Sequence, residues 1–240
     1  MNAINLEPSS ILNGVDWGRV ADELRERGNS CLPRLLSPEQ CQAIAGSYNN
    51  DLLYRTRIVM AKHGFGKGEY KYFAYPLPTA IEDLRHALYS KLVPIANQWV
   101  EQLKMGTRYP DDLGSFLARC HDVGQLRPTP LLLEYSSGDY NCLHQDLYGE
   151  HVFPLQVAIL LSAPEQDFHG GQFVMAMKSG SSSFADVVDL QQGDAVVFAV
   201  NYRPVVGKRG TSIKGQARHG VSRIRAGKRH TLGLIFHDSK

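Results

Sequence analysis

The chain is poor in cysteine, with four in 240 residues, Cys31, Cys41, Cys120 and Cys142, and none stands in a Cys-x-x-Cys pair. A disulfide framework is therefore not indicated, and the four are expected as reduced core thiols. No segment approaches the roughly 20 consecutive apolar residues of a membrane-spanning helix. Met1 to Ser10 have neither the basic start nor the apolar run of a signal peptide, so a cytoplasmic, non-membrane protein is expected. Internal repeats and low-complexity tracts are also missing. The Gly64-Phe65-Gly66 stretch lacks the strand before it and the Lys-Ser pair after it that a nucleotide-triphosphate loop requires. Acidic residues are absent from Ala195 to His237, a stretch with nine Lys or Arg: Arg203, Lys208, Arg209, Lys214, Arg218, Arg223, Arg225, Lys228 and Arg229. A one-signed stretch of this length creates positive potential, which attracts polyanions such as nucleic acid. The same charges also serve as solvated guards on strand edges.

What is present points to a metal. His144-Gln145-Asp146 places two ligand-bearing side chains at i and i+2, which share one face of an extended strand while Gln145 turns away. A third nitrogen ligand is available from His219, 75 residues later. Two imidazoles and one carboxylate suit Fe(II) or Mn(II) better than structural zinc and leave coordination positions open for chemistry. His121-Asp122 and His237-Asp238 are adjacent pairs, which on a strand point to opposite faces, and are left unassigned. His151 and His169 lie in the same half; either could be a substrate contact, though such residues more often cap a turn or pack.

The surroundings of the triplet have a fixed order. Leu131-Leu132-Leu133-Glu134-Tyr135 reads as an apolar strand entering the turn at Gly138, with Tyr135 nine residues before His144. Gly170-Gly171 and Gly193-Asp194 are turns that feed strands. Arg229-His230-Thr231 opens the run to Phe236, in which Arg229 and Thr231 share a face. A guanidinium beside a hydroxyl fits a carboxylate, because the planar fork donates two parallel bonds and the hydroxyl a third.

On these residues the stretch Leu131 to Asp238 resembles the 2-oxoglutarate/Fe(II)-dependent dioxygenase superfamily. Leu133-Glu134-Tyr135 followed by Leu143-His144-Gln145-Asp146 is similar to AlkB-type oxidative demethylases. The whole chain looks closer to a bacterial family of such oxygenases described as oxidative demethylases of damaged DNA. The resemblance implies that His144, Asp146 and His219 hold Fe(II). It implies that Arg229 and Thr231 bind the distal carboxylate of 2-oxoglutarate while Tyr135 orients it. O2 is then the oxidant, with ascorbate as reductant in vitro. AlkB-type proteins carry a second arginine six residues after the first; here that position is Ile235, which weakens the inference to nucleic acid and leaves that to iron and cosubstrate intact. Single-stranded or damaged DNA or RNA is the implied partner. A protein side chain or small metabolite as substrate, and a non-catalytic cupin-like metal sensor, stay open beside it.

The expected fold class is α+β, with a double-stranded β-helix (jelly-roll, cupin-like) core and N-terminal helices on one sheet. With 43% apolar content the chain reads as one dioxygenase domain, 1–125 forming a helical and strand supporting lobe and 126–240 the catalytic core. In the first part, Trp17 to Arg27 has helical periodicity with Gly28 as its stop. Ser30 to Pro33 reads as a strand, Ser37-Pro38-Glu39-Gln40 as a helix start, and about Thr79 to Met105 as a second long helix. Between them, Lys62 to Pro76 is rich in glycine, lysine and aromatics. It is either a mobile lid that stacks on a base and meets phosphates, or a turn and a strand that pack on the core.

Overall fold

The computed structural model of the chain describes residues 8–106, 108–180, 182–207 and 210–240. Lys208, Arg209 and the first seven residues of the Met1 to Ser10 stretch lie outside the described residues. Five α-helices are present among them: α1 (Pro8–Asn13), α2 (Trp17–Arg27), α3 (Pro38–Gly46), α4 (Thr79–Gln102) and α5 (Leu113–Asp122). Local chemistry sets their ends. The Asp16 side chain accepts from Arg19 N at the start of α2, and Gly28 closes it with a left-handed φ of 77°. Ser37 and Gln40 form the expected capping box of α3. Helix α4 ends at Gln102, three residues short of the expected limit. His121 and Asp122 lie at the end of helix α5, not on a strand.

Strands β1 (Asn29–Leu32), β2 (Tyr54–Val59), β3 (Gly66–Lys67) and β4 (Glu69–Phe73) come from the first half. The second half supplies β5 (Leu131–Ser136), β6 (Tyr140–His144), β7 (Leu155–Leu160), β8 (Phe168–Gly170), β9 (Phe173–Ser179) and β10 (Ser182–Val188). It continues with β11 (Ala195–Ala199), β12 (Tyr202–Val206), β13 (Ser212–Val221) and β14 (Ile224–Leu234). All named pairings between these strands are antiparallel, in two sheets. The larger has the order β1-β11-β7-β14-β5-β4-β2 with β8 beside β14; the smaller has β10-β9-β13-β6-β3 with β12 beside β13. From β5 to β14 the chain crosses repeatedly between the sheets, with β9–β10 and β12–β13 as antiparallel pairs within the smaller one, the winding of a jelly roll. Strands of the first half extend both sheets: β1, β2 and β4 the larger, β3 the smaller.

Alternation along the strands gives the large sheet two working faces. Leu132, Val157, Ile159, Val197 and Leu234 join Leu84, Leu88 and Leu92 of α4 in one buried apolar cluster. The opposite face presents Tyr135, Gln156, Ala158, Phe198, Arg229, Thr231 and Gly233 to a cavity between the sheets. The small sheet closes that cavity, with Phe173 of β9 packed 5.0 Å, ring to ring, from Phe198 of β11.

Candidate metal and cosubstrate site

The two histidines and the aspartate converge at the cavity. His144 and His219 are directly opposite in the β6–β13 ladder, and their ring centroids lie 4.2 Å apart. Asp146 follows just after the end of β6, so the strand aims His144 and the first residues beyond it turn the carboxylate inward. One ligand atom from each of the three residues lies within 4.8 Å of the others. His144 Nε2 and His219 Nε2 are each 3.5 Å from an oxygen of Asp146. That is too long for a good hydrogen bond. It is close to the roughly 3 Å kept by two donors at right angles on an ion about 2.1 Å away. Gln145 turns its amide to Asn201 Oδ1 and the Ala217 carbonyl, both at 2.7 Å.

Two of the three groups are biased toward the form that a metal binds. Burial pushes the Asp146 carboxyl up, but His219, His144 and the Tyr148 hydroxyl outweigh it and hold the group below the usual carboxylate range. Burial lowers His219, keeping its ring neutral. His144 Nδ1 is 2.8 Å from the Cys142 carbonyl, an orientation in which Nδ1–H donates and the Nε2 lone pair is left for an ion. Tyr148 Oη donates to Asp146 Oδ1 and fixes the carboxylate from the side. Sequence reasoning missed Tyr148; its only signal was an aromatic two residues after the ligand.

The predicted carboxylate-binding residues face the same cavity. Arg229 and Tyr135 are opposite in the β14–β5 ladder. Arg229 is 2% exposed, and its only hydrogen bond among the described residues runs from Nη1 to Thr231 Oγ1 at 2.6 Å. Its Nε and the Tyr135 hydroxyl are buried without a partner. Burial lowers the Arg229 guanidinium to about 10, which still leaves it charged at neutral pH, and pushes the Tyr135 hydroxyl well above its usual range. Two glycines make room for this pair. A Cβ on Gly171 would sit 3.0 Å from Arg229 Cδ, and one on Gly68 would sit 2.7 Å from the Tyr135 ring.

The Lys62–Pro76 stretch divides. Glu69–Phe73 is a strand of the large sheet with Tyr72 and Phe73 buried and Tyr70 on the cavity. Lys71 is not available to phosphate, since its ammonium contacts the Tyr48 carbonyl at 2.8 Å and Asp51 at 2.7 Å. Tyr75 bonds Asp238 away from the site. Only the tip faces the mouth: Phe65 lines the cavity while 47% exposed, stacks on His63, and accepts from Cys142 N through its carbonyl at 2.9 Å. Lys62 and Lys67 are exposed beside it. The basic stretch from Ala195 is also less uniform than expected. Arg203 and Arg229 are buried, and Arg218 lies on the face of β13 opposite His219. Lys214, Arg218, Arg223, Arg225 and Lys228 remain exposed, with Arg223 over the Tyr140 ring at 4.7 Å. His151 and His169 do not line the cavity; His169 pairs with Glu165 at the surface.

Residues 68–239 match the model of a family named Oxygenase-NA and described as "Oxygenase, catalysing oxidative methylation of damaged DNA". The chain belongs to this family. Two Mycobacterium tuberculosis proteins from different strains, named Uncharacterized protein Rv2227 and Uncharacterized protein MT2286, are each 48% identical over 168 residues, 70% of this chain and 72% of theirs. Among solved structures, a Pseudomonas putida prolyl-4-hydroxylase aligns with a TM-score of 0.55 at 18% identity, covering 94% of this chain and all of that one. A Burkholderia pseudomallei oxidoreductase of the 2OG-Fe(II) oxygenase family aligns at 0.53 and 16%, covering 95% and 94%. These likenesses support the jelly-roll fold. By its family's description this Oxygenase-NA member is an oxygenase, which sets aside the metal-sensor alternative. No helix among its described residues is long and apolar enough to cross a membrane.

Proposed function

We propose that this enzyme hydroxylates a C–H bond on an N-alkylated base of single-stranded or damaged nucleic acid, and so removes the alkyl group. The observation that carries the catalytic assignment is the meeting of the triad, within 4.8 Å, with a buried guanidinium that has no carboxylate partner among the described residues, in one cavity. His144, Asp146 and His219 hold the iron. Arg229 and Thr231 bind the distal carboxylate of 2-oxoglutarate, and the Tyr135 hydroxyl donates to it. Residues 1–240 act as one dioxygenase domain, in which 1–125 support the catalytic core of 126–240, and it works in the cytoplasm.

Iron, when bound, supplies the O2 chemistry that couples decarboxylation of 2-oxoglutarate to insertion of one oxygen into the C–H bond. The products are succinate, CO2 and the hydroxylated substrate. An N-methyl group becomes N-hydroxymethyl, which releases formaldehyde and returns the unmodified amine. The protein's part is positional. Apolar walls from Phe173, Phe198, Leu131 and Leu133 exclude water around the reacting atoms. Leu143 and Leu147, each next to a triad residue in sequence, and Phe65 are exposed at 45%, 44% and 47%. Of these only Phe65 lines the cavity; its exposed ring offers a flipped or unpaired base a stacking surface, and Lys62, Lys67 and Arg223 offer its phosphates cations. The family description supports nucleic acid over a protein or metabolite substrate.

The test is incubation of the full chain with Fe(II), 2-oxoglutarate and ascorbate, with methylated oligonucleotides, peptides or metabolite pools in parallel. Succinate is expected from wild type and only background from His144→Ala and Asp146→Ala. Retained turnover in both variants overturns the metal assignment. Formaldehyde is expected with the oligonucleotides; stimulation by peptides or metabolites alone overturns the substrate assignment.

A further inference from the structure

One polar side chain on the cavity wall has no role in the scheme above. Gln156 of β7 is 4% exposed, lines the cavity, and makes no side-chain hydrogen bond among the described residues, its Oε1 being buried without a partner. Its Nε2 is equally without a partner among the described residues, and an amide N–H left unpaired on a cavity wall costs stability and is accounted for by a ligand that accepts from it. Its position says which one. Gln156 pairs with Phe198 across β7 and β11, so both project from the same face. The Phe198 ring lies 4.6 Å from that of His219. Gln156 therefore stands at the level of the triad.

Thr231, the partner of the Arg229 guanidinium, is opposite Leu160, four residues further along β7. At 3.3 Å per residue the two levels are about 13 Å apart. An extended five-carbon diacid is about 7 Å between its end oxygens at about 1.5 Å per bond. One hydrogen bond of about 2.9 Å at each end brings the span to about 13 Å. Between these levels β14 places only Gly233 on the cavity, so nothing polar on that strand competes for the ligand's metal-side end.

We propose that Gln156 is a second anchor for the cosubstrate, its carboxamide donating to the 2-oxo-acid head beside the metal while Arg229 holds the far carboxylate. This rests on the cosubstrate assignment above. Charge explains why a neutral donor suffices. A divalent ion with the Asp146 carboxylate leaves one positive charge, Arg229 adds another, and 2-oxoglutarate brings two negative ones. A further cation at the metal end would leave an uncompensated buried charge.

Calorimetric titration of the Mn(II)-loaded full chain separates the two anchors, using 2-oxoglutarate and oxalate, which is the head without the tail. Gln156→Leu is expected to weaken both by about tenfold, the loss of a hydrogen bond to a charged group. Gln156→Glu, of the same shape but carrying a like charge, is expected to weaken both by about a hundredfold. Arg229→Gln is expected to weaken 2-oxoglutarate and leave oxalate unchanged. Unchanged oxalate affinity in both Gln156 variants overturns the inference, even if their oligonucleotide KM rises, since Gln156 would then contact the substrate. Loss of Mn(II) uptake with the loss of oxalate binding overturns it as well, because that marks a collapsed site. Wild type that binds Mn(II) but not 2-oxoglutarate brings down the parent assignment and this one together.

Discussion

Two arginines are buried on opposite sides of the large sheet, and their surroundings differ. Arg85 of α4 is 1% exposed and fully engaged, donating to the Ile235 carbonyl at 2.9 Å, to Tyr75 Oη at 3.2 Å and to Asp238 at 3.0 Å. Asp238 in turn meets Tyr75 and His121, each at 2.9 Å. Arg229 is as deeply buried but bonds only Thr231 and has no carboxylate partner among the described residues. The first charge is satisfied by the fold. The second is satisfied only by something the fold receives, which marks one as architecture and the other as a binding group.

The largest effect that tests this contrast is on stability. Arg85→Met strands the Asp238 carboxylate in the core and is expected to cost about 3–5 kcal/mol. Urea unfolding would show it, while 2-oxoglutarate affinity per folded molecule stays unchanged. If that affinity falls in step with stability, the two regions are not separable. Arg229→Met is the mirror case. It removes an unpaired charge, so the ligand-free protein is expected to melt no lower than wild type, yet to bind 2-oxoglutarate about a hundredfold more weakly. A lowered melting temperature with unchanged affinity would reverse the roles given to the two arginines.

The contrast also shows what could be read from the chain alone. That Arg229 and Thr231 share a face was legible because spacing along a strand fixes it, whereas Tyr135, Asp146 beyond the end of β6 and His219 75 residues further on were named from the order of the motif and the resemblance. Helix α3 was legible because its capping box is local chemistry. The partners of Arg85 were not, since Asp238 lies 153 residues away and joins it only through the packing of α4 against the end of the large sheet. Nor was Gln156 legible, since an isolated glutamine in an apolar strand announces nothing until the register puts it beside Phe198. Which of the two readings of Lys62 to Pro76 applies to Lys71 was not legible for a related reason: a lysine among aromatics and glycines looks exposed until tertiary contacts bury it on Asp51 and Tyr48.

A smaller effect is expected on the metal. Tyr148→Phe removes the hydroxyl that donates to Asp146 and keeps the ring, which packs edge-on against Tyr72. Mn(II) affinity should fall about tenfold, the scale on which hydrogen bonds behind a ligand act, with little change in melting temperature. A fall in both Arg85→Met and Tyr148→Phe would mean that the architectural cluster supports the metal too, and would blur the division.

The smallest effect lies between the two arginines in kind. His230 follows Arg229 on β14 but points away from the cavity, with Nε2 2.9 Å from Glu134 and its backbone N–H bound to Ser162. Burial lowers its proton affinity more than the Glu134 carboxylate raises it. The unfolded chain therefore binds this proton more readily than the folded one. Stability from this group is present above the ordinary histidine range and is lost as pH falls through the unfolded value toward the lower folded one. Urea unfolding across about pH 5 to 8 should show His230→Gln with a flatter pH dependence than wild type over the lower part of that range. If the variant's curve instead steepens, the Glu134 carboxylate outweighs burial, His230 is charged in the native state, and it belongs with Arg85 as a fully paired cation.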